Sequence, residues 1–325
     1  MKLAFIGGFG HHYLRGALAF HPDWQIAVAG DGLEPEAARG LCEKIPGAQW
    51  FEEPRYLLDT FAPDLVSIGA VYGINGDMVS LALERDVPVV SDKPVAATWA
   101  QLERLQQLTQ DNARILLTEF PFRSQREFRA ARQAIRDGLI GEVMLATAQK
   151  SYRFGASRPA WYSNRDLYGG TLLWIASHGI DAVRFCAGQE FDRVTGTDNN
   201  LSRSQYGTME ESVSALFELR NGGTAIVYAD FLRPQSAPTH GDDRLRIAGS
   251  KGVVEVREAR CVLIFGDEGE RDITDSVQVR PVYEELLAAV RGEIDEFYST
   301  RESLAIAQIL LRARDAVDKR EWQSF

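Results

Sequence analysis

Through about residue 118, short apolar and β-branched runs alternate with longer stretches of helical periodicity, which predicts βαβ units around a doubly wound parallel sheet. The apolar runs predict strands over 2–6, 25–29, 65–69, 87–91 and 114–117. A weaker strand is expected over 48–51, after the Pro46-Gly47 turn. The texture changes after Phe120. A helix is predicted over 124–137, with Phe128, Ala131 and Ile135 on one face and Gly138 as its terminating glycine. Strands then dominate, over 142–152, 213–219, 224–231, 244–248, 252–256 and 261–265. Asn221-Gly222-Gly223 forms a hairpin turn between two of them. A helix over 171–186 interrupts them, and a last one starts near Ser299, where Ser299-x-x-Glu302 reads as a capping box ahead of Ala305, Ile309, Ala313 and Ala316.

The expected class is therefore α/β: a parallel-sheet domain over 1–120 and an α+β domain on a mainly antiparallel sheet over 121–325. A length of 325 residues agrees with two domains. The 45% hydrophobic and 25% charged content is that of an ordinary folded chain and excludes a disordered or collagen-like one. The net charge of −10, with no basic patch, speaks against nucleic acid and anionic membranes as partners. Cys42, Cys186 and Cys261 lie far apart, which offers no zinc or redox motif and suggests reduced intracellular thiols. Gly7, Gly8 and Gly10 break the amino-terminal apolar run before a signal-peptide core forms, so a cytoplasmic location is expected.

Chemistry enters at Gly7-Gly8-Phe9-Gly10-His11-His12, a glycine turn between the first strand and a helix. A nucleotide pyrophosphate needs backbone N–H donors there and no obstructing side chain. Counted from Gly7, the second and third glycines of the dinucleotide fingerprint fall on Phe9 and His12; counted from Gly8, Tyr13 stands at the third. Asp31 closes the second strand, where a carboxylate accepts from an adenosine ribose. No Arg or Lys lies beside it for a 2′-phosphate, which favours NAD over NADP. Adjacent His11 and His12, without spaced carboxylates, make no metal site. Asp92-Lys93-Pro94 follows the fifth strand and sets a lysine at a parallel strand's carboxyl end, where ligands of open α/β sheets bind and where a lysine can polarise a substrate oxygen.

With Gly7–Gly10 and Asp92-Lys93-Pro94, the segments Gly138-Leu139-Ile140-Gly141-Glu142, Gly169-Gly170-Thr171-Leu172-Leu173, His178-Gly179-Ile180-Asp181 and Gly249-Ser250-Lys251-Gly252 resemble the glucose–fructose oxidoreductase, inositol dehydrogenase and rhizopine-catabolism (Gfo/Idh/MocA) oxidoreductases along essentially the whole chain. The resemblance implies a Rossmann domain followed by an α+β domain, and dimers or tetramers paired through the C-terminal sheet. It implies Lys93 near the nicotinamide and His178 as acid or base. Gly7, Gly8, Phe9, Gly10, His11, Asp31, Ala70, Val71, Asn75, Asp92 and Lys93 are the expected cofactor residues. The substrate is expected at Arg123, Tyr152, Arg153, Trp161, Trp174, His178 and His240. There are departures. Trp174 replaces the family's aspartate four residues before the histidine, Val71-Tyr72 and Asn75 replace a Pro-Asn and a His, and Pro121 replaces the asparagine of an Asn-x-Arg stretch that Arg123 completes. The expected activity is an NAD(P)-dependent interconversion of a secondary alcohol and a ketone on a sugar, cyclitol or related polyol. The alternatives are a redox-neutral NAD-dependent glycosidase or lyase, and a non-catalytic nucleotide or sugar sensor.

Overall fold

In the computed structural model, which describes residues 1–111, 113–155, 158–266, 269–293 and 297–325, six strands form one parallel sheet. They are β1 (Lys2–Ile6), β2 (Gln25–Ala29), β3 (Gln49–Phe51), β4 (Leu65–Ile68), β5 (Val89–Ser91) and β6 (Leu116–Thr118), in the order β3-β2-β1-β4-β5-β6. Every position of β4, β5 and β6 is buried, as a sheet covered on both faces requires. This is why these strands show no alternation of apolar and charged positions, their only polar residues being the buried hydroxyls of Ser67, Ser91 and Thr118.

The connecting helices are α1 (Pro35–Glu43), α2 (Pro54–Phe61), α3 (Asn75–Leu83) and α4 (Trp99–Thr109). Pro35 and Pro54 occupy first-turn positions where no N–H is needed, and the Thr98 hydroxyl caps α4 by accepting the Gln101 N–H at 3.2 Å. Between β1 and β2 the helix is one seven-residue 3-10 stretch, Tyr13–Ala19. Gly16 within it leaves room for the Tyr283 ring, which a Cβ would meet at 2.6 Å.

The second sheet has nine strands in the order β14-β13-β12-β11-β7-β10-β9-β8-β15. In chain order, α5 (Arg126–Arg136) precedes β7 (Val143–Arg153), and α6 (Arg165–Tyr168) and α7 (Ser177–Ala187) precede β8 (Phe191–Asn199). Then come β9 (Ser212–Leu219), β10 (Thr224–Arg233), β11 (Gly241–Gly249), β12 (Gly252–Arg257), β13 (Arg260–Phe265) and β14 (Glu270–Asp272). The chain ends with α8 (Val282–Val290), α9 (Thr300–Lys319) and β15 (Gln323–Ser324). β7 and β10 pair in parallel and the remaining neighbours are antiparallel. Gly179 lets α7 approach β10 closely, since a Cβ there would stand 2.8 Å from the Val227 side chain.

Several expectations need correction. The division at residue 120 is interrupted: residues 1–119 group with 166–169 and 280–308, and residues 120–165 group with 170–279 and 309–325. The reason is packing, because Leu286, Leu287 and Tyr298 join the apolar cluster of Leu3, Phe5, Val28 and Leu117. The single helix over 171–186 is a π-helix, Leu172–Ala176, followed by α7. Strand β8 escaped the pattern because its apolar contribution reduces to buried Phe191 and Val194 among polar residues. Gly138 does end α5 with φ 75°, and the Ser299 hydroxyl accepts the Glu302 N–H at 3.2 Å at the head of α9. No helix among the described residues is long and apolar enough to cross a membrane.

Candidate functional site

The glycine turn grows out of buried β1 and is packed against the protein's own backbone. A Cβ on Gly7 (φ 78°) would lie 2.6 Å from the Ala70 Cα, and one on Gly8 would lie 2.3 Å from the Ala37 carbonyl carbon. Side chains on Gly7 and Gly8 would thus collide with neighbouring backbone, which is why the turn is built of glycines. Its amides are largely engaged: those of Phe9 and Gly10 both donate to Gly69 O, at 3.2 and 2.8 Å, and that of His11 donates to Asp92 Oδ2 at 2.8 Å. Gly8 contributes the turn amide that none of these bonds uses. The mismatch with the glycine fingerprint has a structural cause. His12, where a third glycine was expected, is buried and joins the helix start to two strands, with Nε2 3.1 Å from Gly7 O and Nδ1 2.8 Å from Ser67 Oγ. In the neutral ring, Nε2–H donates to the carbonyl and Nδ1 accepts from the hydroxyl. Burial pushes His12 down to about 4, so it stays neutral.

Asp31 sits at the end of β2 and is 4% exposed. Its Oδ1 accepts the N–H groups of Leu33 and Glu34 at 2.9 and 2.8 Å, and its Oδ2 accepts that of Val71 at 2.9 Å. The carboxylate thus holds the loop after β4 as well as its own turn. A bound ribose would share an acceptor that the protein already uses. Asn75 is likewise turned inward: its carbonyl accepts the Ala70 N–H, and its amide donates to Ser91 Oγ, Asp92 O and Pro94 O at 2.9–3.0 Å. It clamps the loop after β4 to the Asp-Lys-Pro segment.

That segment leaves β5 with a cis Lys93–Pro94 bond. Asp92 and Lys93 are 2% and 1% exposed, with the ammonium 3.5 Å from Asp92 Oδ1. Burial opposes ionisation of Asp92, but the Lys93 charge and His11 outweigh it and hold the carboxyl well below the usual range. A second carboxyl, unforeseen from sequence, stands beside this pair. Glu119 follows β6, is fully buried, donates its N–H to Ser91 O at 2.8 Å and accepts the Tyr13 N–H at 3.2 Å. Burial and then the Asp92 charge raise it well above the usual carboxylate range, which favours its protonated form. Its position at a parallel strand's carboxyl end was the signal that would have found it.

In the second unit, Gly170 (φ 111°) leads into the π-wound turn. π-turns inside helices recur at functional sites. Thr171 anchors this turn by donating its N–H to Glu210 Oε2 at 2.9 Å and its hydroxyl to Glu210 O at 2.6 Å. Trp174 is 6% exposed within the turn. His178 lies one turn further, 5% exposed, with its ring centre 5.4 Å from that of Phe122 and 6.2 Å from that of Phe120. Arg123, expected on the substrate, is instead buried and forked onto Asp181, its Nε within 3.1 Å of both carboxylate oxygens. It therefore holds α7 in place. The pairing is intelligible, because a buried guanidinium needs a carboxylate.

Tyr152, Arg153 and His240 do come together. The Tyr152 and His240 rings are 4.8 Å apart, and the Arg153 N–H donates to His240 O at 3.0 Å. Lys150, missed from sequence, joins them from the same strand, its ammonium 5.0 Å from the Tyr152 ring centre, 4.4 Å from that of Phe122 and 2.8 Å from Asp243 Oδ2. A lysine in register with buried Ala146 and Ala148 was its sequence signal. Trp161 packs against Tyr162, with ring centres 4.7 Å apart.

Known proteins resemble this chain in sequence and fold. The model for an oxidoreductase family with an NAD-binding Rossmann fold matches residues 1–120, and that for a GFO/IDH/MocA C-terminal domain matches residues 128–255. The chain is 27% identical over 221 residues to D-glucoside 3-dehydrogenase of Escherichia coli (strain K12), covering 61% of this chain and 62% of that protein's length. It is 26% identical over 256 residues to myo-inositol 2-dehydrogenase of Thermotoga maritima, covering 77% of this chain and 74% of that one. A solved structure from Thermotoga maritima is 30% identical and superposes over 100% of both chains with a TM-score of 0.93.

Proposed function

The chain belongs to the GFO/IDH/MocA oxidoreductase family, whose fold binds NAD, and on that premise we propose that it interconverts a secondary alcohol and a ketone on a sugar, cyclitol or related polyol. The observation that carries this reading is the buried Asp92–Lys93 pair at the end of β5. Bound NAD supplies the acceptor for the hydride that leaves the carbinol carbon. Gly7, Gly8 and Gly10 let the turn that would face its pyrophosphate fold tightly against the protein's own backbone, and Asp31, with no cation adjacent in sequence, favours NAD over NADP.

Lys93 holds the reacting oxygen with its ammonium and stabilises the negative charge that develops there. Asp92 lies 3.5 Å from that ammonium and, by accepting the His11 N–H, ties it to the glycine turn. Asn75 fixes the backbone on either side of the lysine. His178 takes the hydroxyl proton during oxidation and returns it during reduction. Trp174 offers a flat apolar surface to a sugar ring in place of a carboxylate. Two copies pair through the open face of the second sheet, a reading supported by the exposed cross-strand neighbours Leu216 and Ile226 and by exposed Tyr228.

The test is a panel of sugars, cyclitols and polyols followed by nicotinamide absorbance, with NAD and NADP in parallel. Reduction of NAD by at least one of them is expected. Sugar turnover without accumulated reduced nicotinamide, or dinucleotide binding without any turnover, would overturn the reading.

A further inference from the structure

Three side chains of the first unit meet around one carboxylate. Asp92 Oδ1 lies 3.5 Å from the Lys93 ammonium and accepts the Lys93 N–H at 2.9 Å. Its Oδ2 accepts the His11 N–H at 2.8 Å and stands 3.2 Å from His11 Nδ1. A carboxylate has no proton to donate, so Nδ1 carries the proton in this contact and Nε2 is the nitrogen left to titrate. Gly10 makes the meeting possible, because a Cβ there would stand 2.8 Å from Asp92 Oδ2.

The three groups differ in their access to water. The side chains of Lys93 and Asp92 are 1% and 3% exposed, whereas that of His11 is 51% exposed. External pH therefore reaches this cluster through the imidazole. Asp92 faces the ring, with Lys93 across the carboxylate. On its own segment His11 has His12 beside it and the Tyr13 ring stacked on it at 5.6 Å, and Glu119 reaches the same turn from the end of β6 by accepting the Tyr13 N–H. Burial opposes the ionised form of Asp92, and Lys93 and then His11 sustain it.

Resting on the dehydrogenase reading above, in which Lys93 holds the reacting oxygen, we infer that His11 is a positioning residue for Lys93 and acts through Asp92. The neutral ring holds the carboxylate against the ammonium. A protonated ring sets a second cation on the same carboxylate, within about 9 Å of the first, and loosens that hold. No proton has to pass through Asp92. The coupling is electrostatic and therefore reciprocal, so the Lys93 charge bears on His11 as strongly as His11 bears on Lys93.

Reciprocity allows a test that needs no turnover. In NMR titrations of the intact protein with labelled histidine side chains, His11 is assigned by the signal missing from His11→Asn. It is expected to titrate at higher pH in Lys93→Met than in the parent, and at lower pH in Asp92→Asn. A His11 signal unmoved in both variants would overturn the inference. In turnover, His11→Leu is expected to lower kcat at pH 8 about tenfold, as loss of a charge-assisted hydrogen bond does, with little change in KM for NAD. His11→Asn keeps a donor near the Nδ1 position and is expected to recover most of that loss. The parent's kcat should fall as pH drops from 8 through the histidine range, and His11→Asn should lack that component. Leu and Asn variants that behave alike, or a pH profile that His11→Asn leaves unchanged, would also overturn it. If no sugar or polyol is oxidised, the dehydrogenase reading fails, and the NMR titration still decides whether the two residues are coupled.

Discussion

Arg123 grips Asp181 inside the second unit, across 58 residues of sequence and one helical turn beyond His178. Both side chains are at least 95% buried, so neither can trade its partner for water. Replacing Asp181 with Asn leaves the guanidinium without its counter-charge. Loss of about 3–5 kcal/mol of stability is expected, measured by urea unfolding. A joint Arg123→Met, Asp181→Leu replacement should cost much less, because it leaves no isolated charge.

Lys93→Ala and His178→Ala are each expected to slow turnover by about 10²-fold or more, as loss of a positioned acid–base group does. NADH binding, followed by fluorescence, should survive the His178 change. Full activity in both variants would remove these residues from the chemistry.

His12 makes stability depend on pH in a definite direction. Its value is 6.5 in an open chain and about 4 when folded, so between those limits the unfolded state binds a proton that the folded state refuses. Stability therefore falls as pH drops from about 6.5 to 4, by up to about 3 kcal/mol from this residue. Chemical denaturation across that range should show the slope, and His12→Gln should flatten it.

Glu119 acts with the opposite sign. Its folded value lies above 4.5, so the folded state keeps a proton that the unfolded state releases, and stability declines as pH rises from 4.5 through the folded value. Glu119→Gln, which preserves the acceptor for the Tyr13 N–H, should raise the denaturation midpoint at pH 7 to 8 and leave it little changed at pH 4.

What could be read directly from the chain was whatever local order expresses. The apolar runs of β1, β4 and β5 announced a sheet covered on both faces, Gly7 to Gly10 announced a turn without side chains, and Asp92-Lys93-Pro94 announced a charged group at a strand end. Those patterns follow from backbone geometry and periodicity, which act over a few residues. The roles of individual polar groups were not legible in this way. Asp31 proved to hold an amide 40 residues away, His12 to bridge to Ser67 across 55, and Arg123 to serve Asp181. Glu119 and Lys150 acquired their character only once folding had buried each of them beside other charges. A side chain's protonation and partners depend on its desolvation and on neighbours supplied by distant segments, and no local pattern encodes either.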